Sequence, residues 1–189
     1  TAFEWFTKAS AQGYGLAMNN LGGCYHNGTG CDQNYTKAVE WFTKASAQGD
    51  SDAMVSLGWC CENGHGCDQD YTKAVEWYTK ASAQGNSSAM FNLGVYYGKG
   101  HGCDQDYTTA FKWFAKASAQ GHRGAMNNLG LCWKHGWGCD QNQTTAFEWF
   151  KKSAQLGDKY AQDNLNGIEE SHTSKRRKTE ASDSDDELL

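Results

Sequence analysis

An all-α fold, an α/α superhelical solenoid of 36-residue helix-turn-helix repeats, is predicted by three observations. Tryptophan recurs at positions 5, 41, 77, 113 and 149, 36 residues apart each time. Its surroundings recur too: Cys31 to Gly49 reads CDQNYTKAVEWFTKASAQG, and Cys67 to Gly85 reads CDQDYTKAVEWYTKASAQG. Proline is absent, which suits a chain of helices and glycine-based turns. Self-similarity at a fixed period means stacked units, each touching mainly its neighbours, and the product is a long surface.

The chain opens on an unpaired second-type helix over residues 1–12. Four helix pairs follow, then a last first-type helix over residues 158–165. The second pair shows the pattern. Its first helix is predicted over Ser51–Asn63, with Ala53, Met54, Leu57 and Cys60/Cys61 at helical spacing. Gly58 lies inside it, at a cost of about 1 kcal/mol relative to alanine. Gly22, Gly94 and Gly130 repeat it, so the glycine is expected to permit close helix approach. The second helix is predicted from Tyr71 to Gln84, turning Ala74, Trp77, Tyr78, Ala81 and Ala83 inward. Gly85 suits a left-handed helix end, and Asn86, like Asp50, can cap the next helix. The intervening loop runs from Gly64 to Asp70, with Cys67 expected to plug the core. In the terminal unit Gln162 replaces methionine and Asn166 replaces glycine, the polar decay expected of a solenoid cap. The solenoid domain thus covers 1–168, and a charged, aromatic-free tail expected to be disordered covers 169–189.

Composition excludes several function classes. The net charge of -5 gives no bulk attraction to nucleic acid. Apolar residues make 39% and the 22 glycines bring the total to an ordinary level. The 13% of aromatics are periodic and are expected to build the core. No apolar run reaches the ~18 residues needed to span a bilayer. Residue 1 is not Met and falls inside a repeat, so a longer parent chain or end-to-end self-association is expected.

Ala38, Trp41, Ala45, Gly49, Ala53, Leu57, Gly58, Gly64 and Gly66 stand in one register and recur along the chain. This pattern resembles the Sel-one-like repeat (SLR), a relative of the tetratricopeptide repeat, over about residues 1–168. One departure is regular: the family usually has an aliphatic residue and proline after the second loop glycine. This chain has Cys31-Asp32, Cys67-Asp68, Cys103-Asp104 and Cys139-Asp140 there. The resemblance implies a non-catalytic scaffold or adaptor that holds other proteins together. Relatives serve in membrane-protein degradation, cell-wall synthesis control, signalling and bacterial–host contact, a range too wide for fold analogy to choose among.

The four full repeats can be compared with one another. Ala17/53/89/125, Met18/54/90/126 and Leu21/57/93/129 barely change and read as core. The neighbouring stripe changes freely. By resemblance this helix lines the concave side, where Val55, Trp59, Phe91, Val95 and Leu131 form an apolar strip. Asn20, Ser56, Asn92 and Asn128 flank it. Aromatic anchors beside amides suit a protein or peptide partner, either extended or helical. The competing reading is that Trp59 and Phe91 pack between adjacent first helices.

Three cysteine pairs, 24/31, 60/67 and 132/139, are each seven residues apart, and Tyr96 stands opposite Cys103 in the third repeat. No C-x-x-C occurs, which argues against a zinc ribbon. Buried thiols are the expected state. The alternative is a secreted, disulfide-stapled repeat protein binding host or surface molecules. His65 and His101 lie in Gly-His-Gly loops and are expected to be solvated, without a second metal ligand at sensible sequence spacing. No metal or cofactor is expected.

Some bacterial relatives are linked to β-lactam binding or hydrolysis, so a hydrolase label is implied as an alternative. The chain holds no Ser-x-x-Lys and no His-Glu-x-x-His, and no Ser–His–Asp set can be named, so no enzyme activity is expected. In the tail, Lys175, Arg176, Arg177 and Lys178 resemble a nuclear import signal, giving an intracellular address in cytoplasm and/or nucleus. Ser182 and Ser184 each have an acid three residues on, which suits acidophilic kinases. Phosphorylation there or at Thr179 would place negative charge beside the basic run.

Overall fold

The computed structural model describes residues 1–168. Nine helices are α1 (Ala2–Ala11), α2 (Gly15–Asn27), α3 (Tyr35–Ala47), α4 (Ser51–Asn63), α5 (Tyr71–Ala83), α6 (Ser87–Lys99), α7 (Tyr107–Ala119), α8 (Arg123–His135) and α9 (Gln143–Gln155). A tenth, α10, spans 159–168, and no strand occurs among the described residues. The tail residues Lys175, Arg176, Arg177, Lys178, Thr179, Ser182 and Ser184 lie outside them. Contact is most extensive within the pairs α2/α3, α4/α5, α6/α7 and α8/α9, and each pair then stacks on the next.

Most helix ends are closed by devices that repeat, although Tyr14 at the start of α2 makes no side-chain cap. Gly85, with φ +83°, follows α5. Its N–H donates to the Ser82 carbonyl at 3.0 Å, and the Asn86 N–H donates to the Ala81 carbonyl at 3.2 Å. This pair of bonds is a Schellman closure. Asn86 then caps α6, its Oδ1 accepting from the Ala89 N–H at 3.1 Å. Asp50 does the same for α4 at 2.8 Å. Within a repeat, Gly64 ends α4 in the left-handed region at φ +69°. Gln69 Nε2 donates to the free Glu62 carbonyl at 2.8 Å, and Asp70 caps α5 by accepting from the Lys73 N–H at 2.9 Å. Gln33, Gln105 and Gln141 repeat the glutamine contact at 2.7–2.8 Å.

The core corrects one expectation. Trp77 and Tyr78 do not both turn fully inward; the residue after the repeating tryptophan fills the core, and the tryptophan sits at its edge. Phe42, Tyr78, Phe114 and Phe150 are buried, whereas Trp41, Trp77, Trp113 and Trp149 are half-buried. Consecutive helical residues point about 100° apart, so only one of the two rings can enter the notch left by the glycine of the paired helix. A Cβ on Gly58 would stand 2.6 Å from Tyr78 Cε1, and the equivalent contacts at Gly22, Gly94 and Gly130 are 2.5–2.6 Å. The glycine therefore makes room for a ring, not merely for a backbone. Each tryptophan instead lies in the seam between repeats, with Trp77 packed against the core of both its own and the preceding interface. Lysines one turn on cover the indoles: Lys44, Lys80, Lys116 and Lys152 sit 4.1, 4.3, 4.4 and 4.5 Å from the ring centroids.

Two smaller corrections follow from the same rotation. Ala83 is exposed, and Ser82 is buried in its place, its hydroxyl satisfied by the Thr79 carbonyl at 2.9 Å. Cys67 is half-buried at the rim, while Cys60 and Cys61 fill the interior. At the C-terminal end Ala161, Leu165 and Ile168 of α10 close the core around Phe150, while their polar neighbours Gln162 and Asn166 face out.

Candidate functional site

The freely varying stripe lies on α2, α4, α6 and α8, and three clefts open along it. The first, between α2 and α4, has a volume of about 550 Å³ and is lined by Asn20, Val55, Ser56 and Trp59 among others. The second, of about 280 Å³, lies between α6 and α8 and is lined by Val95, Asn128 and Leu131. The third, of about 710 Å³, is bounded by Phe91, Asn127, Asn128 and Tyr160. Seven of the eight residues singled out for partner binding thus line these clefts. Asn92 lies outside the three.

The side chains differ in how free they are. Trp59 is 39% exposed, which is high for an indole on a core-bearing helix. Val55, Phe91, Val95 and Leu131 are half-buried and also pack against the core. Phe91 stacks on the His122 ring, with centroids 4.7 Å apart and planes 19° apart. The packing reading therefore holds for Phe91, and Trp59 is the most open member of the strip. Asn20 is exposed and donates only to the Leu16 carbonyl of its own helix, at 2.9 Å. Its carbonyl oxygen remains an acceptor for another chain. The first cleft carries no lysine, arginine, aspartate or glutamate, whereas Arg123, Asp158 and Lys159 border the third. Such a face offers apolar anchors with amide hydrogen bonding and little fixed charge.

Stacking of the repeats brings together residues that their sequence spacing kept apart. His65 is half-buried, not solvated: it stacks on Tyr35 at 4.2 Å, and its Nδ1 lies 3.5 Å from His26 Nε2. Trp59 meets both imidazoles edge-on at 4.8 and 4.9 Å. The separation of 39 residues in sequence is one period plus three. That offset, rather than local spacing, was the signal available in the sequence. His101 remains exposed, beside Tyr71. Among the described residues no group of three or more His, Cys, Asp or Glu side chains could hold a metal ion.

The cysteines are thiols in this structure. Cys67 Sγ lies 4.0 Å from Cys61, the neighbour of Cys60, with which the alternative disulfide reading would have paired it. Burial pushes the Cys60 thiol up to about 12, Cys61 to about 11 and Cys132 to about 12, aided in each case by a neighbouring cysteine. These groups remain protonated at neutral pH and behave as small hydrophobes.

His122 caps α8 through Nδ1, which accepts the Ala125 N–H at 3.2 Å and so must be unprotonated. Burial, with the Arg123 charge as a smaller cause, lowers its pKa. The unfolded chain then takes up a proton that the folded site resists. Stability contributed by this site is complete above the unfolded value of about 6.5 and falls as pH drops from there towards the lowered folded value. His122→Asn copies the cap used at Asn86. Its melting temperature is expected to fall less than that of the parent between about pH 7 and pH 5; parallel falls would refute the assignment.

Five segments match the Sel1 repeat model: residues 1–14, 15–50, 51–86, 87–122 and 124–158. The chain belongs to the Sel1 repeat family. The repeat starts at 15, 51 and 87 coincide with the first residues of α2, α4 and α6. A Sel1 repeat protein from Oxalobacter formigenes is 31% identical, with a TM-score of 0.84 over 88% of this chain and 68% of its own. A protective antigen present in uropathogenic Escherichia coli strains and displaying an SLR fold is 32% identical, with a TM-score of 0.81. The match covers 88% of this chain and 36% of that one, so this chain spans about a third of the antigen. Cysteine rich protein B of Helicobacter pylori, at 22% identity and a TM-score of 0.56 over 70% of this chain and 96% of its own, shares the fold. No curated protein matches. Sel1 repeats generally mediate protein–protein interaction and generally act as non-catalytic scaffolds. No helix among the described residues of this Sel1 array is long and apolar enough to cross a membrane.

Proposed function

We propose that this Sel1 array is a non-catalytic adaptor that holds a peptide or helical segment of a partner protein on the face of α2, α4, α6 and α8. The observation that carries this reading is Trp59, open to solvent between Asn20 and Ser56 in an uncharged cleft. Tryptophan is the residue most enriched among binding hot spots, and a hot spot needs a partly desolvated pocket around it. Asn20 and Ser56 supply the hydrogen-bonding edges that fix a bound chain's register. The intracellular address belongs to the same proposal and rests on the run Lys175–Lys178; alanine replacement of those four residues should abolish nuclear import of a tail-fused reporter.

Trp59→Ala is expected to cost ~2 kcal/mol or more of partner affinity while leaving the circular dichroism helical. Phe91→Ala should lower both affinity and stability, because the ring also packs on His122. Affinity capture with the parent chain and each variant checks this. Identical catches from parent and Trp59→Ala would sink the reading.

A further inference from the structure

We propose that His26 and His65 form a two-point chelate for a divalent transition-metal ion of the nickel, copper and zinc class. The site needs no part of the adaptor reading. His26 Nε2 and His65 Nδ1 face each other at 3.5 Å, with ring centroids 5.7 Å apart. Two imidazole nitrogens on one tetrahedral ion, bonded at about 2.0–2.1 Å, lie roughly 3.3 Å apart. The pair thus stands near chelating separation before any ion arrives, and small ring tilts complete the approach.

Three neighbours hold this arrangement. Asn27 Oδ1 lies 2.8 Å from His26 Nδ1. It accepts a hydrogen bond from Nδ1–H there, which keeps the proton on Nδ1 and the lone pair on Nε2, facing His65. Such an outer hydrogen bond is what fixes the tautomer of metal-ligating histidines. Tyr35 stacks on His65 with planes 22° apart, and Trp59 braces both rings from the side. In the ion-free pair His65 Nδ1–H donates to His26 Nε2. On binding, that proton moves to His65 Nε2 and both facing nitrogens become ligands, with no net proton released. Imidazole donors select nickel, copper and zinc over magnesium and calcium. The remaining coordination positions fall to water or to a donor from a bound chain, since among the described residues no third His, Cys, Asp or Glu side chain groups with the pair.

Calorimetric titration of the full chain with Ni²⁺ at neutral pH is expected to show saturable one-to-one binding with Kd below about 1 mM. His26→Gln and His65→Gln should each weaken it at least tenfold, on the order of the loss seen when metal sites are altered. His101→Gln and His135→Gln should leave it unchanged. Asn27→Ala keeps both ligands and removes only the tautomer lock, and about a tenfold loss is expected there too. In the unaltered chain, Ni²⁺ should broaden the imidazole proton resonances of His26 and His65 before those of the other histidines, a readout independent of how any variant folds. Absence of saturable binding, binding that survives either glutamine variant, or equal broadening of all histidines would overturn the site.

Discussion

Gly66→Ala is expected to destabilise the array by roughly 3 kcal/mol or more. Two costs combine. Gly66 has φ +79°, where an L-residue is disfavoured by about 1–2 kcal/mol. Its added Cβ would also run into the backbone carbonyl of Tyr35, at the start of the preceding second-type helix. Backbone in a capped helix cannot swing aside as a side-chain tip can, so an overpacking cost of about 1–3 kcal/mol is added. Gly49→Ala provides the control: its φ is +85°, but nothing lies within 4 Å of the added carbon. It should show the conformational cost alone. Urea denaturation of both variants separates the terms, and equal losses would mean the loop does not rest on its neighbour.

Tyr78→Ala is expected to cost about 3–5 kcal/mol, the range for a large buried ring lost from a core. Tyr78 is fully buried and sits in the Gly58 notch. Tyr78→Phe should cost less, roughly 1.5 kcal/mol, the low end for a hydrogen bond to a charged group, here Glu62 at a long 3.3 Å. Phe42, Phe114 and Phe150 already fill the same position elsewhere. A sharper outcome concerns the partner helix. Gly58→Ala should destabilise the parent by driving a carbon into the ring. In the Tyr78→Ala background the clash is gone, and the same change should stabilise by up to about 1 kcal/mol through helix propensity. A change of sign in this double-mutant cycle establishes that the glycine exists for the ring; matching signs would assign it to something else.

Much of the fold was legible because the chain states its pattern four times over. Helix bounds, glycine turns and most of the Ala–Met–Leu core stripe, from which α8 departs with Met126 half-buried and Asn127 buried instead, could be read by comparing repeats. The inward position within each Trp-aromatic pair could not. Both residues are large and apolar, and the choice between them depends on where the glycine notch of another helix falls. Ser82 and Ala83 were exchanged for the same reason, since a serine that bonds its own helix's carbonyl is buried at little cost. Of the candidate face, the open indole and its flanking Asn20 and Ser56 follow from the variable stripe. The His26–His65 pair does not, because one residue ends a helix and the other sits in the following repeat's loop. Only the rise of one repeat over the next makes them neighbours. The cap at His122 was hidden by residue type, since imidazole accepts a backbone N–H only in one tautomer.

The junctions after α3 and α5 have a consequence for how this molecule can vary. Gly49-Asp50 and Gly85-Asn86 close one helix and cap the next with the same set of bonds. Excising residues 50–85 would therefore join one junction to the other with every terminal carbonyl and amide still answered. The same holds for inserting a duplicate. Length is thus quantised in this protein: genetic slippage by a whole number of periods yields a shorter or longer sibling with its chemistry intact, whereas slippage by any other number severs a cap. The positions free to drift in each copy are those on the exposed stripe, so a new copy arrives as a blank stretch of recognition surface on an already solved frame.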